Sequence, residues 1–184
     1  MSDLVPLIGE PPALDLVNTR TAVGDLLTTS DDLRTWLRRE ATRFPQVDVL
    51  GADADLADVR RLREHTSRLI DHARHGTPPP ADDLNALNEM LRVTPAVTEL
   101  RWDGSAITTA RHRIGTPAAQ LIAWLAEETA ALLTDPAVTK IRQCEADDCV
   151  LLFLPAHPRR RWCSPDRCGN RTRVARHYRR HRSP

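Results

Sequence analysis

The chain has 184 residues, enough for one domain or two small ones with a core of ordinary size. Hydrophobic residues make up 41% and aromatics 4%, which favours helices packed through aliphatic stripes over an aromatic-rich β-sandwich. The net charge of +1 conceals an acidic body and a basic end: residues 140–184 hold 12 Lys and Arg against 4 Asp and Glu, and residues 1–139 hold 14 against 21. Such asymmetry points to a partner rather than to a fold. The first residues have neither the basic nor the apolar region of a signal peptide. No stretch reaches the roughly 18 apolar residues of a membrane span. A cytoplasmic protein with reduced thiols and no membrane contact is therefore expected.

In chain order, Pro6 to Pro12 reads as an irregular entry, and Ala13-Leu14-Asp15-Leu16-Val17-Asn18-Thr19 fits a strand or a short helix equally. Ser30 is placed as an N-cap for Asp31, Asp32, Leu33, Trp36 and Leu37 at helical spacing. The clearest helix runs from Asp53 to Gly76, with Leu56, Val59, Leu62, Thr66, Leu69, Ile70 and Ala73 as its stripe. His65, His72 and His75 fall on it and read as a solvated face. After Thr77-Pro78-Pro79-Pro80, Asp82 or Asp83 caps a helix that turns Leu84, Leu87, Met90 and Leu91 inward and stops at Pro95.

Val97 to Thr109 reads as a hairpin about Asp103-Gly104-Ser105. Thr116-Pro117 opens a further helix that lasts until Asp135-Pro136. Trp36, Trp102 and Trp124 read as core. Asp15 and Asn18 are assigned to capping or turn bonding rather than to a ligand pocket. No phosphate loop, His-Glu-x-x-His or nucleophile elbow occurs, so catalysis is not expected. A domain boundary falls between 139 and 140, where the charge balance changes sign and the cysteines begin.

The four cysteines are spaced Cys144-x₄-Cys149-x₁₃-Cys163-x₄-Cys168. Two close pairs joined by a short loop suit tetrahedral Zn²⁺ with four thiolates, a closed and therefore structural shell. Disulfides, an iron or iron–sulfur centre, and unligated core cysteines rank below it. Val150-Leu151-Leu152-Phe153-Leu154 reads as a buried strand after the first pair. Cys168-Gly169-Asn170-Arg171 begins a helical pattern, where a thiolate gains from free N–H groups and the helix dipole. A knuckle pair plus a pair at a helix start describes a treble-clef-like finger. The fold class is thus α+β: a mostly helical N-terminal domain with a small antiparallel element, then a four-cysteine zinc finger.

Arg161-Trp162-Cys163-Ser164 followed by Cys168-Gly169-Asn170-Arg171 resembles the CGNR zinc finger family. Ala13-Leu14-Asp15-Leu16-Val17-Asn18-Thr19 with Leu33-Arg34-Thr35-Trp36-Leu37 is similar to the ABATE domain that precedes that finger. The resemblance implies a bacterial transcription regulator linked to stress. Relatives often carry an Asp and a Ser or Thr shortly after the finger's Phe, where this chain has Leu154-Pro155-Ala156-His157-Pro158 after Phe153.

From Arg159 to Arg182 there are ten arginines and one acid, Asp166. Arg forks onto phosphate and guanine edges, so Arg159, Arg160, Arg161, Arg173, Arg176, Arg179 and Arg180 are expected to contact DNA, or RNA as a variant. Asn170 and Arg171 are placed beside the thiolates as supporting hydrogen-bond donors. Val174 and Tyr178, at i,i+4, are expected to dock the helix on the finger. The rival reading is a protein-interaction module whose arginines bind an acidic partner or residues 1–139. The N-terminal domain is left for a small-molecule effector or for homodimer formation, although no coiled-coil heptads support a dimer.

Overall fold

The computed structural model describes residues 9–43 and 55–181; the side chains at 176, 177 and 179–181 lie outside the described residues. Pro12–Val17 forms the short helix α1, which resolves the strand-or-helix ambiguity: Pro12 sits in the first turn and the segment is buried on all sides. Two-residue strands β1 (Arg20–Thr21) and β2 (Gly24–Asp25) make a small antiparallel turn. Helix α2 (Ser30–Arg39) is capped by Thr29 rather than Ser30: Thr29 Oγ1 accepts from Asp32 N, and the Asp32 carboxylate accepts back from Thr29 N.

Helix α3 (Leu56–His75) is capped by Asp55 and stops at Gly76, whose φ of 65° admits glycine without strain. Helix α4 (Ala81–Val93) has no side-chain cap, because Asp83 faces α3 instead, bonding Arg68 and His65. His65 is therefore not on a solvated face; it is mostly covered and tied to a buried carboxylate. Strands β3 (Ala96–Trp102) and β4 (Ile107–Arg113) form the hairpin with Trp102 opposite Ile107. Thr116 caps helix α5 (Pro117–Thr134), and a 3₁₀ turn at Pro136–Lys140 leads to the finger. Gly115, at φ +142°, lets Thr94 pack beneath it; an added Cβ would lie 2.6 Å from Thr94 Cγ2.

The main core joins Leu16, Leu33, Trp36, Leu37, Val59, Leu62, Leu87, Leu121 and Leu125. Two inward assignments fail. Leu84 is 38% exposed because α4 turns Asp83 and Leu87 toward α3, and Trp102 is 66% exposed because the hairpin projects beyond the helices. A second core is built from Ala13, Leu14, Val17, Ile70, Leu132, Val138, Ile141 and Leu152. It spans both sides of position 139, so the finger does not pack as a separate bead.

Candidate metal centre

Strand β5 (Arg142–Gln143) runs antiparallel to β6 (Leu152–Phe153), with Arg142 opposite Phe153. Between them the chain makes a knuckle: Cys144 N–H bonds Leu151 O at 2.9 Å and Cys149 N–H bonds Ala146 O at 3.0 Å. Those bonds turn the Cys144 and Cys149 side chains to one side. Cys163 follows Trp162 in an extended loop. Cys168 lies in a wide turn over Pro165–Gly169, in which Gly169 N–H reaches back to Ser164 O and Ser164 Oγ accepts from Arg167 N–H. That turn runs into helix α6 (Asn170–His181), so the second pair stands at a helix start.

All four Sγ atoms lie within 4.8 Å of one another. Cys149 Sγ is 3.8 Å from Cys163 Sγ, which is 3.6 Å from Cys168 Sγ. Four sulfurs about 2.3 Å from a tetrahedral centre stand about 3.8 Å apart, so the spacing fits one zinc ion. Four thiolates held this close together repel one another. A divalent cation removes this conflict by neutralising the thiolates together.

Phe153, Ala146 and the partly covered Trp162 and Leu151 pack around the sulfurs. Alternation along β6 thus serves two cores at once, with Phe153 under the metal site and Leu152 in the second core of the helical unit. Arg171 Nη2 lies 3.6 Å from Cys168 Sγ and pairs with Asp148 at 2.6 Å, bracing the knuckle against the helix start. Asn170 accepts from Arg173, a bond within the helix.

The arginines expected at a nucleic acid divide into distinct roles. Arg160 is used inside the fold. It stacks 4.5 Å over Phe153, donates to the Leu154, Trp162 and Cys163 carbonyls, and pairs with Glu10 at 2.6 Å. Arg161 is exposed but pairs with Glu145 at 2.5 Å. Arg159 is exposed and makes no ion pair among the described residues, and Arg173 is exposed on α6. Arg176, Arg179 and Arg180 have side chains outside the described residues, and Arg182 lies wholly outside them. Val174 and Tyr178 do not bury themselves on the finger: they are 54% and 63% exposed.

The junction with the helical unit uses residues that sequence reasoning assigned elsewhere. Asn18 does not cap a turn; its Nδ2 donates to Leu152 O and its Oδ1 accepts from Leu152 N, both at 2.8 Å. The side-chain amide thereby pairs with β6 as a neighbouring strand would. Glu10, unremarked in the sequence, accepts from Leu154 N at 2.8 Å while pairing with Arg160. No local pattern announces such a role, because its partners lie some 144 and 150 positions away. Asp15 does bond a turn, accepting from Gly9 and Glu10 N–H, and also pairs with Arg43 at 2.5 Å.

A four-cysteine finger of knuckle-and-helix form, fastened to a helical unit by side chains that bond its backbone, is a structural zinc module built into a larger fold. Family models agree along the chain. Residues 10–136 match the ABATE family, described as "Putative stress-induced transcription regulator", and residues 140–181 match the CGNR zinc finger. The chain belongs to the ABATE family, with a CGNR zinc finger at its C-terminal end. A search of curated proteins finds no match to it. No helix among the described residues is long and apolar enough to cross a membrane.

Proposed function

We propose that this zinc-binding member of a regulator family acts by binding DNA through its C-terminal helix, in the cytoplasm and without catalysis of its own. The observation that carries the reading is the composition of α6. It opens at the metal site and holds Arg171, Arg173, Arg176, Arg179 and Arg180 with no acid from Asn170 to His181. Phosphate contacts by Arg173, Arg176, Arg179 and Arg180 and by Arg159 supply affinity, and one or two of them read base edges, while Arg171 stays with Asp148 at the metal site. Zinc fixes the direction of the helix; Arg160 is left out of the surface because its guanidinium holds Glu10.

An effector would act on the helical unit. A cleft of about 400 Å³ between α1, α3 and the finger is lined by Asn18, Arg68, His72, Gln143 and Leu152. A ligand there touches the Asn18–Leu152 junction itself. The second reading, an acidic protein partner, draws on the pairing of Arg161 with Glu145 and Arg171 with Asp148, since an acidic peptide would compete for the same guanidinium groups.

Fluorescence anisotropy of zinc-loaded protein against random duplex DNA tests the reading. If about five phosphates are neutralised, log K falls against log[salt] with a slope of about −4.5. Changing Arg173, Arg176, Arg179 and Arg180 to Ala removes that binding. Tighter binding to single-stranded RNA transfers the function to RNA. No salt-dependent binding to either overturns the reading and favours the acidic partner.

A further inference from the structure

Every residue from Val97 to Thr109 is exposed, although the β3–β4 ladder is in continuous register from Ala96–Arg113 to Trp102–Ile107. A two-stranded ribbon is marginal in water unless a third strand or a helix covers it. The described ties to the helices lie at the base: Arg113 donates to Thr94 O and pairs with Glu127 of α5, which also stands 4.0 Å from Arg111. Directly opposed residues share a face, so Ala96, Thr98, Leu100 and Trp102 lie with Ile107, Thr109, Arg111 and Arg113. The face held to α5 at its base therefore continues outward as Leu100, Trp102 and Ile107, exposed by 73%, 66% and 70%.

The backbone has an open side as well. Asp103 N–H bonds Ala106 O, closing the ladder at the turn. Antiparallel ladders alternate bonded and non-bonded pairs from such a closure, so Thr98, Leu100 and Trp102 turn their N–H and C=O groups to the free edge of β3. Between Ala96 and Trp102 no proline, lysine or bulge guards the edge, and the charges it does carry, Glu99 and Arg101, lie 3.6 Å from each other.

We propose that this edge is closed by β3 of a second copy of the chain, antiparallel about a two-fold axis beside Leu100. In that register Leu100 opposes the partner's Leu100 and Thr98 opposes the partner's Trp102. Glu99 opposes the partner's Arg101, and Arg101 opposes the partner's Glu99. Each pair formed by the outward residues exchanges two N–H···O bonds. The two hairpins become one four-stranded sheet with an unbroken strip of Leu100, Trp102 and Ile107 across one face.

The charges select this occupant. Strand β3 carries an acid and a base placed symmetrically about Leu100, so its best complement is itself reversed, as an isologous contact requires. Strand β4 carries Arg111, His112 and Arg113 without an acid, and two such strands side by side would oppose positive charge to positive charge. The proposal does not depend on DNA binding.

The test is the solution mass of the full zinc-loaded chain across the micromolar range, by sedimentation or light scattering. The expected result is a dimer. Glu99→Arg and Arg101→Glu, made singly, each put like charges opposite one another twice per dimer and raise its dissociation constant about tenfold. Combined, they restore the complement and the affinity. Leu100→Pro deletes an edge N–H that β4 does not use, and it yields a monomer with unchanged zinc content and far-ultraviolet circular dichroism. A wild-type monomer throughout the range overturns the proposal and leaves the apolar strip to a different protein. A dimer indifferent to Leu100→Pro, or a double charge variant no tighter than the singles, overturns it too.

Discussion

Asn18 shows how much one side chain can carry when it stands in for a strand. Its amide satisfies both the N–H and the C=O of Leu152 in a buried setting. Truncation would strand two backbone groups away from water, each costing about 1–3 kcal/mol. Asn18→Ala should lower stability by about 3 kcal/mol in denaturant melts with zinc still bound, and Asn18→Asp, which sets a buried carboxylate against the Leu152 carbonyl, should cost at least as much at neutral pH. A loss within experimental error would mean that β6 finds other partners.

The buried carboxylates nearby make a separate prediction about pH. Asp15 and Glu40 are both fully buried and share the Arg43 guanidinium, and neither oxygen of Glu40 makes a directed hydrogen bond. Burial raises Asp15 to about 6; burial, then the Asp15 charge, raises Glu40 to about 7. Glu128 on α5 faces the same guanidinium and is itself raised by burial. A carboxyl with a raised folded pKa keeps a proton that the unfolded chain releases. Stability from this pair is therefore greatest below the ordinary carboxylate value of about 4 and declines as pH rises to about 7. Glu40→Gln should flatten that decline and raise the melting temperature at pH above about 7. An unchanged slope would place the titration elsewhere.

At the scale of elements, much of the fold is legible from the sequence where local chemistry decides it. The α3 stripe with Gly76 after it, the Thr116-Pro117 start of α5 and the Asp103-Gly104 turn appear in the structure as read. So does the cysteine spacing, because a metal site announces itself through ligand type and interval. What is not legible is orientation. The apolar character of Trp102 suggests core, yet nothing local says that its hairpin extends past the helices. Asp83 looks like a cap, yet Arg68 and His65, fifteen and eighteen positions upstream, are the stronger partners. Val174 and Tyr178 have docking spacing, yet both stay exposed on α6. Gly115 shows the same rule at a turn: Gly115→Ala should destabilise the hairpin base by about 1–3 kcal/mol, since a Cβ there meets Thr94 at a backbone angle that side chains rarely adopt. Thermal melts beside a Gly104→Ala control, where the added Cβ meets no neighbour, separate the clash from the angle alone.

The two family matches divide the molecule near position 139, while its packing joins the halves through Leu152, Asn18, Glu10 and Arg160. Zinc is then a ligand of the whole chain's folding, because the loop that holds Cys149 also delivers β6 to α1. Binding that is confined to the folded state stabilises that state as a unit. Chelation should therefore lower the melting temperature of the entire chain in one transition, including the helical signal from residues far from the metal, rather than melt the finger alone. The combined variant Glu10→Ala/Asn18→Ala should uncouple the halves, keeping one zinc per chain but separating the melt into two steps, of which only one responds to chelator. A chelator-sensitive step already separate in the wild-type chain would show that the shared core does not couple them. If the coupling holds, an effector acting on the α1 side can change how firmly the Arg-rich helix is held, with no need to reach it directly.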